Sequence, residues 1–575
     1  MKKSALAGLH FIEKAIPGLR VARTYERRWL WTDLFAGVTI FAMIVPQGIA
    51  YAQLAGVAPV VGLYTAIGAM LGYALFGSSQ RLMIGPESTT ALLVATAVAS
   101  VATGGDPARF ALLVTLMALL VGVITLVAGL ARFGFLADFV SKPILIGYIT
   151  GVAIIMIVSQ LGKLFGIPIQ NENFILQIVE LFTHLGQTRM LTLVIGLVLL
   201  IFLLVLRRFA PRVPGGLIVV VVMTTISALL HLDTYGVAVV GPITPGLPKL
   251  GLPDVSLIDV WNLLPSSLIL TLIVFTDAVL TARIFADKHG EKVNASRELI
   301  GLGAANIISG LFQGFPAGAS QSRTAVDETA GGKTQLVGIV AAALLVAFLL
   351  WFTHLLENLP QMVLAVIIIA AAISLIEVKP LQQVYRVRRV EFFLALVTLI
   401  GVLSIGVMEG ILVAVLLALI VVIGRISRPH DAVLGSVKGV DGYQDIEAYA
   451  NSETEPGLIV YRFDAPLFFA NADYFLTQVQ ELIDEASQSI DWLLIDAEAI
   501  VDIDVTAVEA LSKLQSGLER RGVTMAIARA SQRLQEILKR AGLTEKIGSE
   551  HFFPTVRTGV RAFIEQQEEL TGESS

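Results

Sequence analysis

The sequence of 575 residues contains no cysteine and few charged residues. The absence of cysteine excludes disulfide bonds, thiolate metal sites and cysteine nucleophiles. Charged residues make up 15% of the chain and hydrophobic residues 55%, with a mean hydropathy of +0.78, whereas soluble domains contain about 25% charged residues. An interior with that much apolar surface would leave too few polar side chains to cover the outside in water. The composition therefore excludes a soluble enzyme for most of the chain.

The charges are divided unevenly along the chain. Residues 431–575 carry 12 Lys and Arg against 25 Asp and Glu, a net charge of −13, whereas residues 1–430 have a net charge of +8. Regions of such different composition indicate two domains in two solvents, and neither suggests a nucleic-acid partner. We expect an N-terminal cytoplasmic segment over 1–32, a transmembrane transport domain over 33–430, a cytoplasmic domain over 431–565 and a disordered tail over 566–575.

Apolar runs separated by short polar or Gly/Pro breaks recur from Asp33 to about residue 425. A helix needs about 20 apolar residues to cross the hydrocarbon core of a bilayer, so the runs predict 12 to 14 membrane-spanning helices. With fourteen spans and a cytoplasmic start, every cluster of Lys and Arg falls on the cytoplasmic side, as the positive-inside tendency requires. Both termini are then cytoplasmic, and we expect a multi-pass protein of a bacterial-type inner (plasma) membrane.

Two short segments, Gly85–Thr90 and Phe315–Thr324, place proline and small hydroxyl-bearing residues at a helix start in mid-membrane. A helix N-terminus presents unpaired N–H groups and partial positive charge, so it can hold an anion. Two such interrupted helices in corresponding positions of two halves indicate the substrate site of a transporter. The alternative interpretation is a pair of glycine-rich close-packing contacts. The candidate anion ligands at these helix starts are Ser88, Thr89, Ser320, Ser322 and Arg323.

Gln47 and Tyr51 lie one turn apart in the first apolar run and share one face of the predicted helix. Pro46 would loosen the helix at this point. An amide and a phenol can donate hydrogen bonds to an oxyanion without adding charge, which makes both residues candidate anion ligands. The alternative is a polar stripe directed at a neighbouring helix.

Asp277 lies near the middle of the apolar run 263–285. A lone carboxylate in hydrocarbon costs at least about 2.5 kcal/mol, so it requires a partner or a watery cavity. Thr281 lies one turn along on the same face, and the pair predicts a coupling site for a proton or for Na⁺. The alternative is a structural salt bridge, for example to Arg323. Glu87 is either a second coupling acid or a solvated residue at the mouth of a cavity.

Signals of an enzyme are poor. The seven histidines are scattered without a pair at metal-ligand spacing, and no phosphate loop with Gly-Lys-Ser/Thr is present. We therefore expect no catalytic residue, no cofactor other than a co-transported H⁺ or Na⁺, and no metal site apart from Na⁺ at Asp277.

The last quarter of the chain alternates strand and helix patterns. Short apolar runs predict strands at Gly457–Phe463, Trp492–Asp496 and Val523–Ala528, and apolar residues at helical spacing predict helices at Ala472–Ala486 and Thr506–Arg521. Such alternation is typical of an open sheet covered by helices.

Four stretches carry a resemblance to a known family. They are Val45–Tyr64, Gly77–Pro86 and Gly318–Gln335 in the apolar region, and Asp502–Leu511 in the tail. The chain resembles the SulP family of anion permeases over roughly residues 25–565, and the tail resembles the STAS domain of that family.

The resemblance implies a polytopic α-helical membrane protein with 14 helices in two inverted seven-helix repeats, followed by a cytoplasmic α/β STAS domain. It further implies a mobile core domain, a gate domain, elevator-like motion and a homodimer. Gln47 and Tyr51 match anion-facing positions of the first helix, Ser322 and Arg323 match an anion-binding pair at the tenth, and Asp277 matches an acid linked to cation coupling. Glu87 departs from the small or apolar residue that is usual after the Gly-Pro.

These observations together predict a secondary-active importer of an inorganic oxyanion, driven by H⁺ or Na⁺. Sulfate is the first expectation, with bicarbonate and small dicarboxylates as alternatives. Two other functions are an uncoupled anion exchanger or channel, and a membrane-bound regulator that acts through the STAS domain. Asp277 argues against the channel, and the pair of helix starts argues against the regulator. The expected partners are the small anion, H⁺ or Na⁺, the lipid bilayer and a second copy of the chain.

Overall fold

The computed structural model describes residues 16–102, 105–138, 142–169, 171, 174–210, 213–242, 245–287, 289–449 and 451–572. The chain divides into two compact units, Met1–Leu416 and Leu417–Ser575.

Helices make up almost all of the first unit, because a chain in lipid must satisfy its backbone hydrogen bonds internally. Seven helices among the described residues are long and apolar enough to cross a membrane, and shorter apolar helices accompany them. The helices of the first half are α1 (Pro17–Thr24), α2 (Leu30–Leu54), α3 (Pro59–Phe76), α4 (Ser88–Ala99), α5 (Pro107–Leu130), α6 (Lys142–Phe165), α7 (Phe174–Thr183), α8 (Met190–Phe209) and α9 (Gly215–Leu230). Those of the second half are α10 (Leu257–Asp287), α11 (Ala295–Leu311), α12 (Gln321–Ala330), α13 (Leu336–Trp351), α14 (Gln361–Leu375), α15 (Val378–Val387), α16 (Arg389–Ile405) and α17 (Val407–Ser427).

The two halves repeat the same order of elements. Without the short helices α1, α7 and α15, each half contains seven helices within the described residues, and the third of each is short. Helix α4 has 12 residues and α12 has 10, so they are about 18 and 15 Å long and cannot cross a hydrocarbon core of about 30 Å. A two-residue strand precedes each short helix, and these strands, β1 (Ile84–Gly85) and β2 (Gly318–Ala319), pair antiparallel. The antiparallel pairing fits inverted repeats, and the predicted fold of fourteen helices is confirmed.

The helices of the first unit pack in two groups. Helix α11 packs against α3 and α5, while α2 contacts α3 and α13. In the other group, α6 contacts α14 and α16, and α14 also contacts α8. Glycine permits the closest approach in the first group, since a Cβ at Gly62 of α3 would lie 1.8 Å from the carbonyl oxygen of Gly48 on α2. This close packing fixes the segment of α2 that carries Gln47 and Tyr51.

The second unit is built on one sheet with helices packed on it. The strands are β3 (Asp431–Val437), β4 (Tyr443–Asp445), β5 (Ser452–Glu453), β6 (Leu458–Phe463), β7 (Trp492–Asp496), β8 (Thr524–Ala528) and β9 (Phe552–Phe553). The helices are α18 (Ala472–Asp484), α19 (Val505–Arg520), α20 (Gln532–Arg540), α21 (Leu543–Ile547) and α22 (Val556–Gly572).

The order of the strands in the sheet is β4-β3-β6-β7-β8-β9, with β5 paired to β3. Strands β6 to β9 run parallel, and β3 pairs antiparallel with β6. Side chains of β6 and α18, among them Tyr461, Phe463 and Phe475, are fully buried between sheet and helices.

The structure corrects the expectation of a disordered tail over 566–575. Helix α22 continues to Gly572, so 566–572 are helical, while 573–575 lie outside the described residues. Arg561 forms an i,i+4 ion pair with Glu565, and Gln567 donates a hydrogen bond of 3.0 Å to Asp491. Such an ion pair and hydrogen bond stabilise a helix even where the sequence is polar and lacks apolar residues at helical spacing.

Candidate functional site

The two half-helices α4 and α12 begin next to each other. The pairing of β1 with β2 places Gly85 opposite Gly318, only a few residues before each helix. Two further hydrogen bonds join these segments: the Ser320 amide donates to the Met83 carbonyl, and the Met83 amide donates to Thr324 Oγ1, both at 3.1 Å. Two helix N-termini from the two repeats therefore meet at one place, which concentrates unpaired N–H groups and partial positive charge there.

Arg323 lies in the first turn of α12 and is only 1% exposed. Its Nη1 donates to the carbonyl oxygen of Pro86 at 2.8 Å and to Gln47 Oε1 at 3.3 Å. Its Nε and Nη2 are buried and have no hydrogen-bond partner among the described residues. A buried cation with two unused donors is suited to an anionic ligand.

A cavity of about 250 Å³ lies on the other side of Gln47, which accepts a hydrogen bond from Arg323, while Arg323 itself is not among the described residues that line it. Gln47 and Tyr51 of α2 and Ser322 of α12 line it, together with residues of α8, α9 and α14. Sequence reasoning missed Arg207, which also lines the cavity, because its position at the end of an apolar run suggested only a topological role. The cavity therefore combines apolar walls with a few hydrogen-bonding groups, as small-ligand sites do.

The serine and threonine candidates at the helix starts differ in whether they bond to the protein itself or line the cavity. Ser320 caps α12, since its Oγ accepts from the Arg323 amide at 3.3 Å, and Ser88 Oγ donates to Glu87 Oε1 at 3.0 Å. Ser322 is exposed on the cavity and lies 3.2 Å from Ser320 between hydroxyl oxygens. Thr89 is half-buried. Of these four candidates, the structure places only Ser322 on the cavity wall within the described residues.

Glu87 has a role that neither alternative anticipated. It is the N-cap of α4, and its carboxylate accepts from the Thr90 amide at 2.9 Å and from the Thr90 hydroxyl at 3.2 Å. A carboxylate at this position satisfies an orphan N–H and interacts favourably with the helix dipole. It also lies near enough to Arg323 for their opposite charges to attract. Glu87 therefore holds the start of α4 and partly balances the guanidinium.

Asp277 is half-buried near the middle of α10, and no ion pair joins it to Arg323 among the described residues. The salt-bridge interpretation therefore has no support in the structure. Thr281 is fully buried one turn further on, and its hydroxyl has no hydrogen-bond partner in the described ranges. The charge of Glu87 acts on the carboxylate of Asp277, so Asp277 interacts electrostatically with the start of α4. No group of three or more His, Asp or Glu suited to a metal ion occurs in the part of the chain that is described.

Asn306 of α11 positions the segment before β2, and sequence reasoning missed it. Its side-chain amide donates to the Ala317 carbonyl at 3.1 Å and accepts from the Ala317 amide at 2.8 Å. Thr65 Oγ1 accepts from the Phe315 amide at 2.9 Å on the same stretch. The available signal was an asparagine within a run rich in glycine and alanine, since such an amide needs backbone partners when it is buried, as Asn306 is.

Residues 30–398 match the sulfate permease family, and residues 449–559 match the STAS domain. The chain is 43% identical over 547 residues to the probable sulfate transporter Rv1739c of Mycobacterium tuberculosis, covering 95% of this chain and 98% of the relative. It is 32% identical to the chloroplastic sulfate transporter 4.1 of Arabidopsis thaliana, covering 96% and 83% of the two chains.

Two solved structures share the fold. Murine Slc26a9 in its inward-facing state matches with a TM-score of 0.89 at 23% identity, covering 96% of this chain and 94% of that one. The transmembrane domain of the cyanobacterial bicarbonate transporter BicA matches with a TM-score of 0.58 at 24% identity, covering 69% and 97%.

Proposed function

This chain belongs to the sulfate permease family, a family of membrane anion transporters and not of enzymes, and we propose that it is a secondary-active importer of sulfate. Bicarbonate and small dicarboxylates are the alternative substrates. The relatives that cover nearly the whole chain carry sulfate in their names, which supports sulfate as the first choice.

The single observation that carries the proposal is the buried guanidinium of Arg323 between two helix N-termini. Its Nε and Nη2 donate to no described residue, and Gln47 links the guanidinium to the cavity. A tetrahedral oxyanion offers acceptors in several directions, so helix amides, a guanidinium, an amide and hydroxyls can bind it together. At about 30 Å³ per water, a cavity of about 250 Å³ has room for an oxyanion with some of its hydration water.

Coupling in this proposal depends on Asp277 and Thr281. A proton on Asp277, or Na⁺ held by its carboxylate and the Thr281 hydroxyl, removes negative charge near the paired helix starts. Anion and cation then favour each other, and each must raise the affinity of the other by the same factor.

Alternating access in this proposal is an elevator motion. In this motion α4 and α12, which contact α2, move together with α2, α3, α5, α11 and α13 against the group formed by α6, α8, α14 and α16. We place the protein in a bacterial-type inner membrane with both termini cytoplasmic, because this orientation puts the basic clusters on the cytoplasmic side. We further propose a homodimer, and a regulatory role for the STAS domain.

The test is uptake of labelled sulfate into proteoliposomes under an imposed inward gradient of H⁺ or Na⁺. We expect accumulation above the external concentration with one of the two gradients, and weaker competition from bicarbonate or a small dicarboxylate than from unlabelled sulfate. Exchange of internal for external anion without any response to either gradient would indicate an uncoupled exchanger instead. Efficient competition by bicarbonate alone would change the substrate but not the transport class.

A further inference from the structure

Asp327 is a buried carboxylate that the proposed anion site does not use. It lies one turn after Arg323, in the last turn of α12, and is 0% exposed. Within the part of the chain that the structure describes, neither of its carboxylate oxygens has a hydrogen-bond partner. The C-terminal end of a helix carries partial negative charge, which opposes an ionised carboxylate. The position therefore offers nothing from its own helix to stabilise a negative charge.

The backbone closes tightly around this carboxylate. Helix α12 ends at Gly331, which has φ of +91°, and the Gly332 amide donates to the Asp327 carbonyl at 3.0 Å. A Cβ at position 332 would lie 1.9 Å from Asp327 Oδ1, so a larger residue there would displace the carboxylate from its present position. The chain thus covers the carboxylate and excludes water from it.

Asp33, in the first turn of α2, is the charged group that faces Asp327 from the neighbouring helix, and it is also fully buried. Its carboxylate accepts from the Lys333 amide at 2.7 Å, from the Thr334 hydroxyl at 2.7 Å and from the Tyr25 hydroxyl at 3.2 Å. Of these two neighbouring buried carboxylates, Asp33 therefore receives three hydrogen bonds, whereas Asp327 receives none among the described residues.

Two other charged groups act on Asp327. Arg81, in the segment before β1, attracts its negative charge but forms no ion pair with it among the described residues. Glu328 repels that charge and is itself paired with His289, with 3.0 Å between Oε1 and Nε2. Of the three charged groups Asp33, Arg81 and Glu328, Arg81 is thus the one that favours a negative charge on Asp327.

We propose that Asp327 is a proton-binding site beside the hydrogen-bonded carboxyl group of Asp33, at the opposite end of the half-helix whose N-terminus faces the anion. The proton adds to the carboxylate and converts it to a neutral carboxylic acid, which fits a dry pocket without donors. Release of this proton leaves a negative charge in that pocket, between α2 and α12.

The site has a consequence for the anion, and this step rests on the proposed function. Asp327 and Arg323 are four residues apart on α12, so they lie on the same face of the helix. Ionised Asp327 opposes an anion near Arg323, whereas neutral Asp327 does not. Proton and anion therefore favour each other, which gives the anion site a pH dependence separate from that of Asp277.

The first test is infrared difference spectroscopy of the full chain, which does not depend on transport. Subtracting the spectrum of Asp327→Asn from that of the wild type at neutral pH should leave the C=O stretch of a protonated carboxylic acid, shifted in D₂O. Glu328→Gln is the matched control and should leave that band in place. Asp327→Glu keeps the acid and should move the band without abolishing it, which covers the case in which the asparagine variant does not fold. A difference spectrum that shows an ionised carboxylate instead would overturn the proposal and would indicate that Arg81 stabilises a negative charge on Asp327.

The second test measures sulfate affinity against pH in the Asp277→Asn background, where the other mid-membrane carboxylate is neutral. Affinity should fall by about fivefold or more as the pH rises, because coupling between sites is of that order. Adding Asp327→Asn should remove this dependence and hold affinity at the low-pH value. An unchanged pH dependence in the double variant would overturn the link to the anion. Absence of sulfate binding in every variant would count against the proposed function, while the infrared result would still decide the proton site.

Discussion

Nη1 of Arg323 donates a hydrogen bond of 2.8 Å to the carbonyl oxygen of Pro86. The donor lies in the first turn of α12, and the acceptor directly precedes Glu87, the residue that caps α4. One guanidinium therefore joins the starts of two half-helices that belong to different repeats. This bond and the β1–β2 pairing therefore hold the two helix starts together.

The first prediction concerns Ser322, whose side chain is exposed on the wall of the cavity. Ser322→Phe should lower sulfate uptake by more than about tenfold, or about 1.4 kcal/mol, because a phenyl ring fills space that the anion needs. Uptake into proteoliposomes, with the oligomeric state checked by gel filtration, is the measurement. Ser322→Ala is the matched comparison and should lower uptake much less than Ser322→Phe, since it removes one hydroxyl without adding volume. Wild-type uptake by well-folded Ser322→Phe would place the anion elsewhere.

The second prediction separates the capping role of Glu87 from a coupling role. Glu87→Gln keeps an acceptor for the Thr90 amide but removes the charge beside Arg323, so sulfate should bind more tightly and accumulation driven by the gradient should persist. Glu87→Ala also removes the cap and should lower the free energy of unfolding by about 0.5–2 kcal/mol. Thermal stability and sulfate affinity of the two variants are the measurements. Loss of gradient-driven accumulation in Glu87→Gln would make Glu87 a coupling acid after all.

The third prediction concerns the alkaline stability of the second unit. Asp431 accepts from the hydroxyls of Tyr461 at 2.8 Å and Tyr474 at 2.9 Å. Burial, and then the hydrogen bond and charge of Asp431, raise the pKa of both phenols above the unfolded value of about 10. A raised pKa means that the stabilisation is fully present below about pH 10 and is lost as the pH rises through the folded-state pKa values.

The measurement is thermal unfolding of a fragment that begins at Pro429, followed from about pH 8 to about pH 11. The free energy of unfolding should fall by up to about 1.4 kcal/mol per pH unit for each proton released. Changing Tyr461 and Tyr474 together to Phe should flatten this slope, whereas Tyr449→Phe should leave it as in the wild type. Equal slopes in all three fragments would show that Asp431 does not link the tyrosines to folding.

The sequence alone predicted which segments form the site, because interrupted membrane helices have a recognisable composition. Proline, glycine and hydroxyl residues in mid-membrane located the starts of α4 and α12, and the spacing of Gln47 and Tyr51 placed both on one face of α2. The structure brings Gln47, Tyr51 and Ser322 to one cavity, while their roles in binding stay predictions. In the tail, strand β7 has the predicted bounds, since five consecutive buried apolar and acidic residues leave little choice of register.

The rest depends on contacts between distant parts of the chain, which composition does not encode. Nothing near Glu87 in the sequence shows that its carboxylate turns back onto Thr90 and does not face a cavity. Likewise, Asp327 looks like an exposed acid in a polar stretch until Gly332 and α2 close over it. The short strands β4, β5 and β9 escaped prediction because two or three residues give no measurable alternation.

The last prediction concerns Asp277, and it separates a coupled transporter from a channel. A carboxylate in the middle of α10 needs a proton, a cation or water, because no ion pair neutralises it among the described residues. Asp277→Asn keeps the shape, removes the charge and imitates the protonated acid, so we expect it to bind sulfate with at least wild-type affinity. It should nevertheless lose accumulation driven by a gradient of H⁺ or Na⁺, because the step that takes up and releases the cation is gone. Accumulation against a concentration gradient, with and without the imposed cation gradient, is the measurement, and Thr281→Val distinguishes the ions, since loss of the hydroxyl should weaken Na⁺ but not H⁺. If Asp277→Asn still accumulates sulfate in response to the gradient, coupling lies elsewhere, and Asp327 is then the next carboxylate to test.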